Sequence, residues 1–117
     1  MGTPSVGMVV TVRFPFSDLS NSKKRPTVVL APSDRGDWIL CQITSNAYAD
    51  ISAVLLENDD FSQGSLQKTS YARPGKIFTA NEALMANEIG QLKDKSFRKV
   101  SEAVISLLQA NIPGWFD

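Results

Sequence analysis

The sequence predicts a mainly β (α+β) fold, in which about five to six antiparallel strands form a barrel-like sheet and a helix follows at the C-terminus. Three observations lead to this class. Short apolar stretches alternate with a period of two residues and are separated by turn-forming residues. One stretch near the C-terminus has helical periodicity instead. The strand–helix–strand rhythm that marks a parallel sheet does not occur in the sequence.

The first strand is expected to lie directly before Pro15. Val10, Val12 and Phe14 alternate with their neighbours in the way that half-buried strands do. Proline has no backbone N–H and should end the ladder there or place it at a sheet edge. A polar loop with two lysines is then predicted from Ser17 to Lys24.

A second strand follows this loop, with an apolar run from Val28 to Ala31 that suits burial on both faces. Pro26 disfavours helical geometry at the preceding residue. The side chain of Arg25 is therefore expected to project from extended backbone where the second strand begins. An arginine in such a position, next to a lysine-bearing loop, predicts an anion-binding site.

The third strand is predicted from Trp38 to Thr44, after a segment rich in turn residues. Cys41 lies on its more apolar face and is interpreted as a small core residue rather than a nucleophile. Thr44 ends the strand beside Ser45, where a hydroxyl can meet solvent or a ligand. A β-branched residue that simply ends a strand is the alternative for Thr44.

The second half of the chain has weaker signals until its last helix. A fourth strand is expected from Ile51 to Glu57, followed by one helical turn within Phe61–Gln67. Strand segments should lie on both sides of a Pro-Gly break after Arg73. A short helical turn is expected at residues 81–84, and a last strand near residues 86–92.

The C-terminal helix has the clearest periodicity in the chain, with Asp94 as its expected N-cap. Its apolar positions repeat at helical spacing and are predicted to pack on the core. These positions are Phe97, Val100, Val104, Leu107 and Leu108.

Length and composition limit the possible classes of protein. A chain of 117 residues, 43% of them apolar, fits one domain over residues 1–117. No apolar run approaches the ~18 residues that span a bilayer, and residues 1–6 lack the pattern of a secretory signal. The one cysteine agrees with a reducing compartment. We therefore predict a cytoplasmic protein with no membrane partner.

Charge is balanced overall, with twelve basic and twelve acidic residues, so any nucleic-acid partner would need a local excess of positive charge. Two basic clusters flank an acidic segment, which gives weak support for a groove that follows phosphates; solvated surface is the alternative for each single lysine. The first cluster contains Arg13, Lys23, Lys24 and Arg25, the second contains Lys68, Arg73 and Lys76, and the acidic segment contains Asp50, Glu57, Asp59 and Asp60.

The composition excludes several kinds of catalysis. The chain has no histidine, which removes histidine acid–base chemistry and every nucleophile that needs a histidine partner. With one cysteine, the usual zinc ligand sets are also excluded. Neither phosphate-binding glycine motif occurs. Adjacent acids at Asp59 and Asp60 are interpreted as solvated turn residues, so no metal site and no cofactor are predicted.

RNA cleavage suits the residues that remain, because the 2′-hydroxyl of RNA can attack the adjacent phosphate without a protein nucleophile or a metal. The protein must then align the sugar and phosphate and stabilise the developing charge. Arg25 fits the second task, since its planar guanidinium matches phosphate oxygens and stays charged. Thr44 can donate a hydrogen bond to the same phosphate, and Arg73 can add a further charge.

A family resemblance rests on the same residues. The stretch GMVVTVRFPFSDLSNSKKRPTVVL, from Gly7 to Leu30, resembles the N-terminal signature of the MazF/PemK-like toxins, and SYARPGKIF resembles a later motif of that family. The likeness spans nearly the whole chain, strongly to Thr44 and more weakly to Leu92. It implies an SH3-like barrel that forms a homodimer, binds single-stranded RNA and is inhibited by an antitoxin protein.

The resemblance also implies roles for single residues. Arg25 and Thr44 match the catalytic pair of the family, whose members cleave messenger RNA without metal and leave a 2′,3′-cyclic phosphate and a 5′-hydroxyl. Arg73 matches an arginine that is often functional. With the two basic clusters, the predicted RNA-binding residues are Lys23, Lys24, Ser45, Arg73, Lys76 and Asp18.

The sequence departs from the family pattern at the expected general bases. Ser20 and Lys24 stand where some members have an acidic residue or histidine, and Gly75 stands where members of the PemK type have an aspartate. Asp18, which is close to Arg25 in sequence, is then the candidate for the general base. Two alternatives stay open: a gyrase-poisoning toxin of the same barrel, with an aromatic tail at Trp115, or a catalytically inactive RNA-binding relative.

Overall fold

The protein is described by a computed structural model over residues 2–14 and 23–115, and a seven-stranded sheet dominates this part of the chain. All strand pairs in it are antiparallel, in the order β4-β6-β3-β2-β1-β7-β5. The strands are β1 (Met8–Phe14), β2 (Lys23–Pro32), β3 (Asp37–Thr44), β4 (Val54–Leu56), β5 (Phe61–Gly64), β6 (Ser70–Asn81) and β7 (Met85–Leu92).

Helical structure within the described ranges comprises two short 3₁₀ turns, Asn58–Asp60 and Glu82–Leu84, and the helix α1, Asp94–Gln109. The predicted class, an antiparallel β fold with a C-terminal helix, is confirmed. The strands number seven rather than five or six. No helix in the described segments combines the length and apolar character that crossing a membrane requires.

The extra strand is β5, where a helical turn was expected, and that expectation was wrong. Phe61 is buried and pairs with Leu92 of β7. At the end of β5, Gly64 has a left-handed backbone (φ +70°), and a Cβ there would collide with the backbone of Ile89. Glycine permits this close crossing of two strands. From the sequence alone, it was interpreted as a sign of a turn rather than as part of a strand.

Strand β6 also differs from prediction, because it continues through the Pro-Gly step that was expected to break it. Cys41 of β3 pairs with Ile77, whereas Ile43 pairs with Ala72, so four residues of β6 bulge opposite one residue of β3. A bulge tolerates the missing N–H of a proline. The fully buried Pro74 lies within it.

Both faces of the sheet are covered by apolar side chains. We call the first group the helix cluster, because it includes Val100 of α1, and the second group the strand cluster. Neighbouring residues of the central strands, such as Val28 and Val29, contribute to opposite clusters, as strand alternation requires. The helix cluster comprises Val9, Val28, Cys41, Ile43, Leu56, Phe61, Ala72, Leu92 and Val100; the strand cluster comprises Met8, Val10, Val12, Val29, Leu40, Ala80 and Met85.

Helix α1 starts at Asp94, with Lys93 rather than Asp94 in the cap position and no side-chain cap. Asp60 forms two hydrogen bonds at the N-terminal end of this helix. Its carbonyl oxygen accepts from the Lys93 N–H at 2.9 Å, and its Oδ1 accepts from Ser96 Oγ at 2.8 Å. Val100 and Val104 are buried as predicted, whereas Leu108 is 56% exposed.

Candidate functional site

Arg25 and Thr44 lie at adjacent ends of two neighbouring strands, β2 and β3. The ladder between these strands ends at the pair Thr27–Gln42. Arg25 lies two residues before Thr27 and Thr44 two residues after Gln42, so strand alternation sets both on the face that carries this pair. Arg25 is exposed and Thr44 half-buried.

The pair belongs to a row of residues that crosses the sheet. Arg25 pairs with Val12 of β1 on one side, and Thr44 pairs with Tyr71 of β6 on the other. Val12 is fully packed in the strand cluster, whereas Arg25 lies where β2 emerges from it. The site thus lies at the open end of the face that the strand cluster fills. On the β2 side the paired residues are Met85, Val12 and Arg25, and on the β3 side they are Thr44, Tyr71 and Leu55.

The hydroxyl of Thr44 is oriented by the chain that follows it. Thr44 Oγ1 accepts a hydrogen bond from the backbone N–H of Asn46 at 3.2 Å. A hydroxyl has one proton to donate and two lone pairs. Because one lone pair is used by the backbone, the hydroxyl proton is available to an acceptor on the sheet face, such as a phosphate oxygen.

Arg73 lies two residues beyond Tyr71 along β6, at the start of the bulge. Its Nε donates to Oδ2 of Asp50 at 3.1 Å, and both side chains are largely buried, at 22% and 17% exposure. Its guanidinium also lies over the ring of Tyr48, 5.6 Å from the centroid. Since the Asp50 contact uses Nε, the terminal nitrogens of Arg73 are the atoms that can meet a ligand.

The loop of residues 45–53 supplies both partners of Arg73. Asp50 Oδ1 accepts from the Ser52 N–H at 2.9 Å, and this bond, followed by the bond from Arg73, lowers the pKa of the Asp50 carboxyl. Asn46 Oδ1 accepts from the Tyr48 N–H at 2.9 Å. Tyr48 and Ala49 have left-handed backbones, with φ of 52° and 58°. The loop replaces the first half of the fourth strand that was expected from residue 51 onward.

Three of the predicted RNA-binding residues lie at strand ends: Lys23 and Lys24 at the start of β2, and Ser45 directly after β3. Lys23 and Lys24 are the first residues of β2, so their expected placement in the preceding loop was wrong. Lys24 is exposed and pairs with Arg13, so strand alternation sets these two on the face opposite Arg25. Ser45 is exposed directly after Thr44.

Lys76 and Asp18 are the remaining residues that were predicted to bind RNA. Lys76 is exposed in β6 and, like Arg73, belongs to the bulge opposite β3. Asp18 lies outside the described residues.

The described residues limit the chemistry of the site. In residues 2–14 and 23–115, no group of three or more acids or cysteines is arranged to hold a metal ion. Cys41 lies behind the site, buried, and donates to the Arg73 carbonyl oxygen at 3.2 Å. Burial raises the pKa of the Cys41 thiol to about 12, so it is protonated at neutral pH and inert as a nucleophile.

Tyr48 and Asp50 were not among the predicted site residues. Asp50 was counted only in an acidic segment, and Tyr48 not at all. The available signal was the pattern Asn46–Asp50 after a strand end, since Asn and Asp side chains commonly bond to the backbone two residues on. That pattern indicates a structured loop, but not its contact with β6.

Comparison with known proteins gives a consistent family assignment. The family model for PemK-like, MazF-like toxins of type II toxin–antitoxin systems matches residues 5–108. A search of curated proteins gives no match.

Several solved structures share the fold. An endoribonuclease from a Mycobacterial species, in complex with its cognate antitoxin, is 15% identical with a TM-score of 0.70, over 97% of this chain and 100% of that chain. MazF in the MazE–MazF complex of Deinococcus radiodurans is 20% identical with a TM-score of 0.73, over 92% and 97%. The Mycobacterium tuberculosis toxin MazF-mt6 is 14% identical with a TM-score of 0.67, over 86% and 95%.

Proposed function

Since this chain belongs to the PemK-like, MazF-like toxin family of type II toxin–antitoxin systems, we propose that it is a metal-independent endoribonuclease that cleaves single-stranded messenger RNA at specific sequences. The position of Arg25 and Thr44 at adjacent ends of the neighbouring strands β2 and β3 supports this proposal. Known structures of the same fold include proteins named endoribonucleases.

The proposed reaction is an internal transesterification. The 2′-hydroxyl of one ribose loses its proton to water as its oxygen forms a bond to the adjacent phosphorus, and the bond from phosphorus to the 5′-oxygen of the next nucleotide breaks. The 5′-oxygen takes up a proton from water, and the products are a 2′,3′-cyclic phosphate and a 5′-hydroxyl. Nothing in this scheme requires a protein nucleophile, a metal or another cofactor.

Arg25 and Thr44 have different roles in this reaction. Charge accumulates on the phosphate oxygens in the transition state, and a fixed guanidinium lowers the barrier by meeting it there. Arg25 can bind two of these oxygens at once, because its donors form a planar fork. Thr44 donates its free hydroxyl proton to the same phosphate. Arg73, Lys76 and Ser45 are proposed to bind the flanking backbone.

The site suits a chain-like ligand better than a small one. Arg25, Ser45 and Lys76 are exposed, so a ligand that binds all three must extend along the protein surface. Single-stranded nucleic acid can follow such a surface from one phosphate to the next.

A cleavage assay in chelator tests the proposal. Purified protein is incubated with a long unstructured RNA in excess EDTA, and the new ends are mapped. We expect cleavage at a recurrent sequence with 5′-hydroxyl ends, and none from the Arg25→Ala variant. Activity that disappears in EDTA and returns with magnesium would overturn the mechanism. RNA binding without cleavage would favour an inactive relative, and inhibition of gyrase without cleavage would favour the gyrase-poisoning alternative.

The proposed partners are a second copy of the chain and an antitoxin, with residues 1–117 acting as one cytoplasmic domain. Apolar side chains exposed along α1 and beyond it support a protein partner; they are Ile105, Leu108, Ile112 and Trp115. An acidic segment of the antitoxin is proposed to cover Lys23, Lys24 and Arg25 and to compete with RNA. Simultaneous, independent binding of RNA and antitoxin would contradict this shared site.

A further inference from the structure

We propose that Tyr48 is a stacking platform for one nucleobase of the bound RNA, next to the phosphate that Arg25 and Thr44 hold. This inference rests on the proposed function and adds a base-binding position to it. The class of ligand is an unpaired nucleobase of either type, purine or pyrimidine, because every base has a π-face that an aromatic ring can meet.

The first observation concerns the two faces of the ring. The guanidinium of Arg73 lies over the ring at 5.6 Å from its centroid, so one face is occupied. Tyr48 is nevertheless 65% exposed, and an exposure this large leaves the opposite face open to solvent. An aromatic ring backed by a cation on one side and free on the other is arranged to accept a flat base.

The second observation is that the ring is held in place. Tyr48 has a φ of 52°, which is unfavourable for a residue with a large side chain and would be free of strain in a glycine. Its backbone is fixed by the bond from Tyr48 N–H to Asn46 Oδ1 at 2.9 Å. Asp50 fixes the other partner, because it binds Nε of Arg73 at 3.1 Å. The loop thus holds an exposed ring in a strained conformation, which a purely structural role does not require.

The third observation is the short path from this ring to the proposed catalytic pair. The N–H of Asn46 donates to Thr44 Oγ1, and the side chain of Asn46 holds Tyr48. Arg73 lies two residues along β6 from Tyr71, the partner of Thr44. A nucleotide whose phosphate lies between Arg25 and Thr44 therefore has the ring of Tyr48 within reach of an adjacent base.

Affinity for an uncleavable RNA analogue tests the proposal directly. The probe is a short 2′-O-methyl oligonucleotide, which has no free 2′-hydroxyl, carrying the sequence cut by the parent protein or a randomised sequence if the parent cuts none. We expect Tyr48→Ala to weaken binding about tenfold and Tyr48→Phe to stay within about twofold of the parent. Ile51→Ala is the matched control, because Ile51 is fully exposed in the same loop, and should bind like the parent.

An abasic series assigns the effect to stacking on one base. In the parent, removal of one particular base should cost about tenfold in affinity, and in Tyr48→Ala the same removal should cost nothing further. Equal binding by Tyr48→Ala and the parent, an equal loss in Tyr48→Phe, or additive effects of the abasic site and Tyr48→Ala would each overturn the proposal. So would a parent that does not bind the oligonucleotide.

The two proposals can fail separately. A parent that binds but does not cleave removes the endoribonuclease mechanism, while the affinities of the variants still decide the role of Tyr48. Conversely, a parent that cleaves RNA, with Tyr48→Ala unchanged in affinity and rate, removes only the stacking platform.

Discussion

Arg25 and Arg73 are the two arginines predicted for the site, and the molecule holds them by different means. Arg25 is exposed at the start of β2, and its direction comes from the backbone: Pro26 follows it, and β1 and β3 flank its strand. Arg73 lies in the bulge of β6 and is held by side chains, through Asp50 at 3.1 Å and Tyr48 at 5.6 Å.

The difference indicates that the two arginines have different functions. Among the residues that the structure describes, no carboxylate forms an ion pair with Arg25, and a guanidinium with its donors unused can offer all of them to a reacting phosphate. A guanidinium whose Nε–H donates to a carboxylate is fixed in position but has fewer donors left for a phosphate. We therefore expect Arg25 to act on the transition state and Arg73 to position the RNA chain.

The largest predicted effect comes from Arg25→Lys. This change keeps the charge but loses the planar fork, and we expect the single-turnover cleavage rate to fall by about 100-fold or more. RNA affinity should change much less, and thermal stability should not change, since Arg25 is outside both apolar clusters. Arg73→Lys is the control and should mainly weaken binding. If Arg25→Lys cleaves like the parent while Arg73→Lys is inactive, the two roles are reversed.

Asp50→Asn should have an intermediate effect, because it acts on Arg73 alone. Asparagine can still accept from the Ser52 N–H, so the loop is retained, but the charge-assisted bond to Arg73 is weakened. We expect about a tenfold loss of kcat/KM from the misplaced guanidinium. Combining Asp50→Asn with Arg73→Lys should add little to Arg73→Lys alone. A fully additive double variant would show that Asp50 does not work through Arg73.

The smallest predicted effect separates two lysines at different positions. Lys24 pairs with Arg13 on the face away from Arg25, so Lys24→Ala should reduce RNA affinity by no more than about twofold and hardly change its salt dependence. Lys76 is exposed in the bulge that contains Arg73, and Lys76→Ala should lower the slope of log affinity against log salt by about one unit. Titrations at several salt concentrations measure both. A larger slope change for Lys24 would indicate that RNA also follows the other face.

The Arg25 half of the site was predictable from sequence because its determinants are local. A proline after the arginine and a threonine at the end of the next strand are enough to set the pair at neighbouring strand ends. Only the register had to be supplied by the fold. The fold class was predictable for a similar reason, since alternation and helical periodicity are properties of short segments.

The Arg73 half depended on interactions between distant residues. Its contact with Asp50 spans 23 positions of sequence and requires left-handed backbones at Tyr48 and Ala49, which single-residue preferences disfavour. The bulge around Pro74 was likewise interpreted as a break, because a proline in a strand usually indicates one. Strand β5 was missed because its glycine serves a close crossing between strands.

The buried thiol of Cys41 can report how often the fold opens locally. It is the one cysteine of the chain, it is fully buried, and its Sγ bonds to the Arg73 carbonyl oxygen across the β3–β6 bulge. Its side chain packs in the helix cluster with Val100 of α1, so a thiol reagent can reach it only when this packing opens, and the labelling rate measures these openings. Antitoxin or RNA that binds the closed state would slow the labelling, so occupancy can be followed at this one sulfur atom.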